Sequence, residues 1–163
     1  MSYSASLIAF AFVQKGIAER NYVTQMKLQK MVYFAHGYHL AKYGEPLIFE
    51  KFEAWKFGPV VPNIYHTYKL YGSGAITDTN LIFDFYTNQN SLLALDIRAK
   101  DAIEYTWIVT KGLSANNLSA WSHNNDAPWA KVYMPDKASI QIPDESIKEY
   151  FEGFLIKSDG EAA

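Results

Sequence analysis

Residues 27–72, KLQKMVYFAHGYHLAKYGEPLIFEKFEAWKFGPVVPNIYHTYKLYG, decide how the fold is read. The first part carries a helical pattern over about 24–43. On a helical wheel Leu28, Met31, Val32, Ala35 and His39 share one face, and Met26, Tyr33, Phe34, Leu40 and Ala41 cover much of the other. A helix apolar on both sides belongs inside a domain, with other elements packed around it. Thr24 offers an N-cap, Gly44 suits a left-handed C-cap, and Pro46 bars continuation. Residues 47–55 are rich in aromatic and β-forming types and predict one or two short strands paired as a ribbon. Lys56-Phe57-Gly58-Pro59 reads as a turn. Pro62 suits the first position of a second helix, because its missing N–H is not needed there, and Ile64, Tyr68 and Tyr71 repeat along that helix before Gly72.

The flanks extend the same pattern. Ser4 can cap a first helix running to about Glu19, with Leu7, Ile8, Ala11, Phe12 and Ile17 inward. Residues 77–93 are irregular and suggest a loop with one short strand near the apolar Leu81, Ile82, Phe83, Phe85 and Tyr86. From Asp96 a helix resumes, with Ile103, Trp107 and Ile108 inward and Gly112 as its stop. Ser114 caps the next helix, which buries Leu118 and Trp121 and reaches His123. Pro128-Trp129 opens a brief helical turn, and residues 140–142 alternate like a strand. Pro143-Asp144-Glu145 starts a last helix that runs to about Ile156, its acidic first turn favoured by the helix dipole. The expectation is a mainly α fold: one compact helical domain over 1–156 around a buried central helix at about 24–43, with a small β-ribbon and a flexible C-terminal tail at 157–163.

Composition narrows the class. Of 163 residues 49% are hydrophobic and 20% charged, which suits a globular chain with a sizeable core. The absence of cysteine excludes disulfides and thiolate chemistry and fits a reducing compartment. No apolar run is long enough to span a membrane. These features together predict a cytoplasmic protein with no membrane partner. Residues 1–72 carry eight Lys/Arg and four Asp/Glu, and residues 73–163 carry seven and thirteen. With no run of basic residues, nucleic acid is not an expected partner of this chain by itself.

No catalytic set, metal site or cofactor site can be assembled. His36 and His39 lie three residues apart on one helix, but no HExxH pattern or nearby acid completes a metal site. No GxSxG, P-loop or GxGxxG is present. What remains is a polar-aromatic group. Gln29, Tyr33 and His36 form one stripe of the central helix, Lys27 and Lys30 flank it, and Trp55, Lys56, Gly58 and Pro59 form a turn nearby in sequence. Two readings stay open for this group: a presented binding surface of aromatics and long cations, or a buried hydrogen-bond network that holds helix to turn.

KLQKMVYFAHGYHLAKYGEPL followed by EAWKFGPVVPNIYHTYKLYGSG closely resembles the signature of the Panacea domain, the SocA-like antitoxin family of bacteria and their phages. LSANNLSAWSHNNDAPW is similar to the second part of that signature, here Leu113-Ser114, Leu118, His123 and Pro128-Trp129. The resemblance covers nearly the whole chain. It implies an antitoxin that neutralises a cognate protein toxin by direct protein–protein binding. In one branch it implies an adaptor that delivers the toxin to a cellular protease, which would then be a further partner. Some relatives carry an added DNA-binding domain, and none is expected here. The resemblance does not assign the residues that touch the toxin; from the polar-aromatic group itself the toxin-binding set is expected to comprise Lys27, Lys30, Tyr33, Trp55, Lys56, Gly58 and Pro59. Gln29, His36, His123 and Trp129 are expected to form a structural polar network, with Trp129 as a clamp in the core. The chain is not expected to be an enzyme.

Overall fold

The computed structural model describes residues 2–84, 87–137 and 139–162. It is mainly α with one small sheet, and a helix lies at its centre. Among the described residues seven α-helices follow in order: α1 (Ala5–Glu19), α2 (Gln25–Tyr43), α3 (Pro62–Tyr68), α4 (Ile97–Thr110), α5 (Ala115–Ser122), α6 (Pro128–Val132) and α7 (Asp144–Ala162). Strands β1 (Phe52–Trp55), β2 (Gly58–Val60) and β3 (Gln141–Ile142) form an antiparallel sheet in the order β2-β1-β3.

Helix ends follow the local chemistry. Ser4, Thr24, Asp96 and Ser114 each accept a backbone N–H of the first turn of α1, α2, α4 and α5. Gly44 closes α2 in the left-handed region at φ 75°. Pro62 occupies the start of α3 and Pro128 that of α6.

The core forms because α2 is enclosed: α1, α4, α5 and α7 all pack on it. Every α2 residue from Lys27 to Leu40 is buried except Phe34, whose ring is half-covered by Trp121 and Phe151. A Cβ on Gly37 would come within 2.3 Å of the Phe151 ring, so α7 reaches α2 over a residue with no side chain. Leu28, Met31, Val32, Tyr33 and Ala35 have no exposed surface. Burial of a large apolar side chain stabilises by about 1.5–3 kcal/mol, and these residues join the core that α1, α3, α4, α7 and the sheet complete.

Several details depart from the sequence reading. The strand expected at 140–142 forms as β3 and joins the ribbon, but the hairpin turns over two residues only, Lys56 and Phe57, because Trp55 pairs with Gly58. Gly58 and Pro59 therefore lie in a strand and not in the turn. Pro59 is tolerated there because β2 is at the sheet edge. Ile108 is 60% exposed, not inward. It lies off the face of α4 that buries Ala99, Ala102, Ile103, Thr106 and Trp107. Met26, placed on an apolar face, is 41% exposed. A 3-10 helix, Gln89–Ala94, forms within the expected loop, and residues 81–84 form no strand. Phe85 and Tyr86 lie outside the described residues, as does Ala163 of the expected tail. Helix α7 runs on to Ala162, past the expected end at Ile156.

Candidate functional site

The polar side chains of α2 settle on backbone atoms of the segments around it. Gln29 makes a reciprocal pair with Val61: its Nε2 donates to the Val61 carbonyl at 3.1 Å, and its Oε1 accepts the Val61 N–H at 3.0 Å. Val61 precedes α3 and lacks a strand partner, so this pair does for it what a sheet neighbour would do. Lys27 Nζ donates to the Lys111 carbonyl at 2.8 Å, and Lys30 Nζ donates to the Phe57 carbonyl at 2.6 Å. His36 accepts the Ile48 N–H on Nδ1 at 3.3 Å, which places its proton on Nε2, 2.9 Å from Asp144 Oδ1 at the start of α7. Lys51 reaches the other oxygen of Asp144 at 3.0 Å. Burial pushes the Asp144 carboxyl upward, but His36 and Lys51 together outweigh it and hold the group below its usual range.

The hairpin is fixed from the other side. Trp129 Nε1 donates to the Trp55 carbonyl at 2.6 Å, and its ring stacks on His123 at 4.0 Å and on Tyr133 at 4.5 Å. Two sequence segments far apart thus meet at one hairpin. Gly58 sits where they converge, with φ at 118°, a region that glycine enters at low cost. A Cβ there would lie 2.2 Å from Lys30 Nζ, 3.2 Å from Ser122 Oγ and 3.3 Å from His123 Nε2. The lysine tip therefore occupies the space a side chain at 58 would need. Burial pushes the Lys30 amine down to about 8, and among the described residues its one hydrogen bond is to the Phe57 carbonyl. His123 is held below its usual value by burial first and by Lys30 second. The Phe57 carbonyl favours its protonated form, but its approach to the ring falls short of a hydrogen bond, which leaves Nε2 buried and unpaired.

Beside this cluster lies an open groove of about 620 Å³. Gln29 and Lys30 of α2 form its floor, and Met26, Trp55, Phe57, Val60, Tyr65 and Lys69 line its walls. Phe57 is 60% exposed at the hairpin tip, and Tyr65 is 42% exposed with its ring centre 5.8 Å from that of Trp55. Exposed aromatics on a rigid frame are what a protein-binding surface requires.

The structure divides the seven residues expected at a toxin surface. Trp55 and Lys56 reach solvent. Tyr33 is fully buried, its ring centre 5.2 Å from that of Phe52 and 5.6 Å from that of Phe151, and Gly58 and Pro59 are buried too. Lys27 and Lys30, expected at the surface, are buried and turn to the carbonyl oxygens of Lys111 and Phe57. Of the expected network, Gln29 and His36 hold separate segments to α2, while His123 and Trp129 stack together against the hairpin. The groove's exposed residues Met26, Phe57 and Tyr65 were not singled out by sequence. Tyr65 had a readable signal, since it lies off the Ile64–Tyr68 face. Phe57 had one as a large aromatic within a turn.

Residues 28–130 match the family described as Antitoxin SocA-like, Panacea domain. The chain belongs to the SocA-like Panacea family. It is 32% identical over 156 residues to Antitoxin SocA of Caulobacter vibrioides (strain NA1000 / CB15N), covering 92% of this chain and 83% of that protein. No solved structure matches the chain. Lys30, Gly58, His123 and Trp129 all fall within the matched Panacea segment and meet at the hairpin. Among the described residues no helix is long and apolar enough to cross a membrane.

Proposed function

We propose that this chain neutralises a cognate protein toxin by direct contact, and that the toxin docks on the groove between α2, the β1-β2 hairpin and α3. The observation that carries this reading is the apolar groove itself, built on the Panacea residues that clamp the hairpin. Family membership supports an antitoxin role. Trp55 and Lys56 stay in the contact set, joined by Met26, Phe57 and Tyr65. Lys27, Tyr33, Gly58 and Pro59 shape the surface from beneath. In this reading the chain masks its partner without a catalytic residue, cofactor or metal. It acts in the cytoplasm, where a protein without cysteine is at no disadvantage, and needs neither nucleic acid nor membrane.

The test is co-expression with the product of the adjacent gene. That product should arrest growth alone, and this chain should restore it. Met26→Asp with Phe57→Asp, in protein that still folds, should abolish rescue. Rescue by the double variant would remove the groove from the mechanism, and an adjacent product without toxicity would remove the antitoxin reading.

A second reading, an adaptor that passes the toxin to a cellular protease, is favoured by one observation. A further apolar cavity of about 390 Å³ between α4, α5 and α7, lined by Tyr105, Val109, Leu113 and Trp121 among others, shares no residue with the first. Two separate surfaces would allow two partners at once. Adaptor action predicts a shortened toxin half-life in the presence of this chain. An unchanged half-life leaves masking alone.

A further inference from the structure

The floor of the groove has an electrostatic imbalance that indicates what it receives. An ammonium carries three donors, and Lys30 spends one on the Phe57 carbonyl. No carboxylate stands within ion-pair distance of it among the described residues, and burial alone accounts for its depressed basicity. The neighbouring groups offer it no counter-charge. Ser122 Oγ donates to the Ser119 carbonyl at 2.9 Å, Gln29 is paired with Val61, and the Glu53 carboxylate, which accepts the Trp55 indole N–H at 3.0 Å, forms no ion pair with Lys30 and does not contribute to its basicity. His123 Nε2 is buried with nothing bonded to it. Lys69 on the groove wall adds charge of the same sign. Nearly all the lining comes from residues 1–72, the part of the chain with twice as many basic as acidic side chains.

We propose that the groove receives an apolar segment of the partner protein that carries a carboxylate, with Lys30, 1% exposed in the free chain, turning its Nζ from the Phe57 carbonyl to that carboxylate and the apolar side chain held between Met26, Trp55, Phe57 and Tyr65. This rests on the direct-contact reading and gives the partner's chemistry. A buried cation without a partner is costly, and a carboxylate arriving with its own apolar cover supplies the missing charge while it displaces water from the aromatic walls. Bonds between ammonium and carboxylate are short and among the stronger hydrogen bonds. A basic segment would meet Lys30 and Lys69 head on. A wholly apolar one would fill the walls and leave the ammonium sealed without a counter-ion.

The test uses the full chain and small probes, so it needs no knowledge of the toxin. 4-Phenylbutyrate and its amide, 4-phenylbutanamide, are titrated separately and followed by the Trp55 indole, the Gly58 amide and the Lys30 ammonium signals in NMR. The carboxylate should shift all three and bind about tenfold or more tightly than the amide. Lys30→Met should bring the two probes to equal affinity. Equal binding of both probes to the wild-type chain, no response at the groove, or a preference that survives Lys30→Met would each overturn the proposal. The wild-type comparison stands even where the variant fails to fold. A concentration-dependent dimer that 4-phenylbutyrate does not dissociate would put a second copy in the groove and overturn it as well. Growth rescue without any carboxylate preference would sink this inference and leave the antitoxin reading intact. Carboxylate binding without rescue would do the reverse.

Discussion

Raising the pH from about 7 to about 9.5 should stabilise the domain by about 2 kcal/mol through Lys30 alone. The unfolded amine titrates near 10.5 and the folded one near about 8, lowered by burial. Between those values the unfolded chain holds a proton that the native chain has released, so stability rises with pH across that window. The burden is fully present below the folded value, and its complete relief above the unfolded value is about 3 kcal/mol. Lys30→Met removes the titrating group but keeps an unbranched side chain of similar length. Urea denaturation of both proteins at the two pH values isolates the effect. The hydroxyls of Tyr33 and Tyr68, pushed far upward by burial, act in the opposite direction at high pH and cancel between the two proteins. At neutral pH the variant should lose the carbonyl bond but also the buried charge, and should not be weaker than wild type by more than about 1 kcal/mol. A pH effect on the difference below about 0.5 kcal/mol would refute the claim that Lys30 is a buried cation without a counter-ion.

Tyr33→Phe removes a buried hydroxyl that makes no hydrogen bond, so stability should be unchanged or rise by up to about 1 kcal/mol, with growth rescue retained; a clear loss in urea denaturation would show that the hydroxyl has a partner. His36→Ala leaves the Ile48 N–H and Asp144 without their shared partner and should cost about 3 kcal/mol, read as a lower thermal midpoint. An unchanged midpoint would mean that the Asp144 link does not tie α7 to α2. Gly58→Ala sets a Cβ 2.2 Å from Lys30 Nζ at a backbone angle unfavourable to alanine, and should cost about 2 kcal/mol or more while abolishing rescue. Wild-type stability in that variant would show that the lysine tip can move aside freely.

What could be read from the sequence was local. The caps at Ser4, Thr24 and Ser114, the stop at Gly44 and the proline starts at Pro62 and Pro128 each depend on groups within a few residues, and each is found in the structure. The enclosure of α2 was legible because its apolar positions surround the helix axis. The fate of its cations was not. Lys27 and Lys30 look like surface residues until the chain brings the carbonyls of Lys111 and Phe57 to them, across 84 and 27 residues. Gly58-Pro59 looked like a turn because both residue types favour turns. Only pairing across the hairpin shows that Lys56 and Phe57 make it. The groove was half legible: of the residues expected at a toxin surface Trp55 lines it and Lys56 is exposed at the hairpin turn, but Phe57 and Tyr65 gain their place from the meeting of the hairpin with α3.

The side chains that bind the domain around α2 grip main-chain oxygens: Lys30 holds that of residue 57, Lys27 that of 111, Gln29 that of 61 and Trp129 that of 55. A carbonyl is the same whatever side chain its residue carries. The side chains at 55 and 57 can therefore be exchanged while the grip beneath them persists. Such a socket separates tenant from foundation: the walls of the groove can be refitted for a different occupant one residue at a time, with the hairpin still anchored at each step.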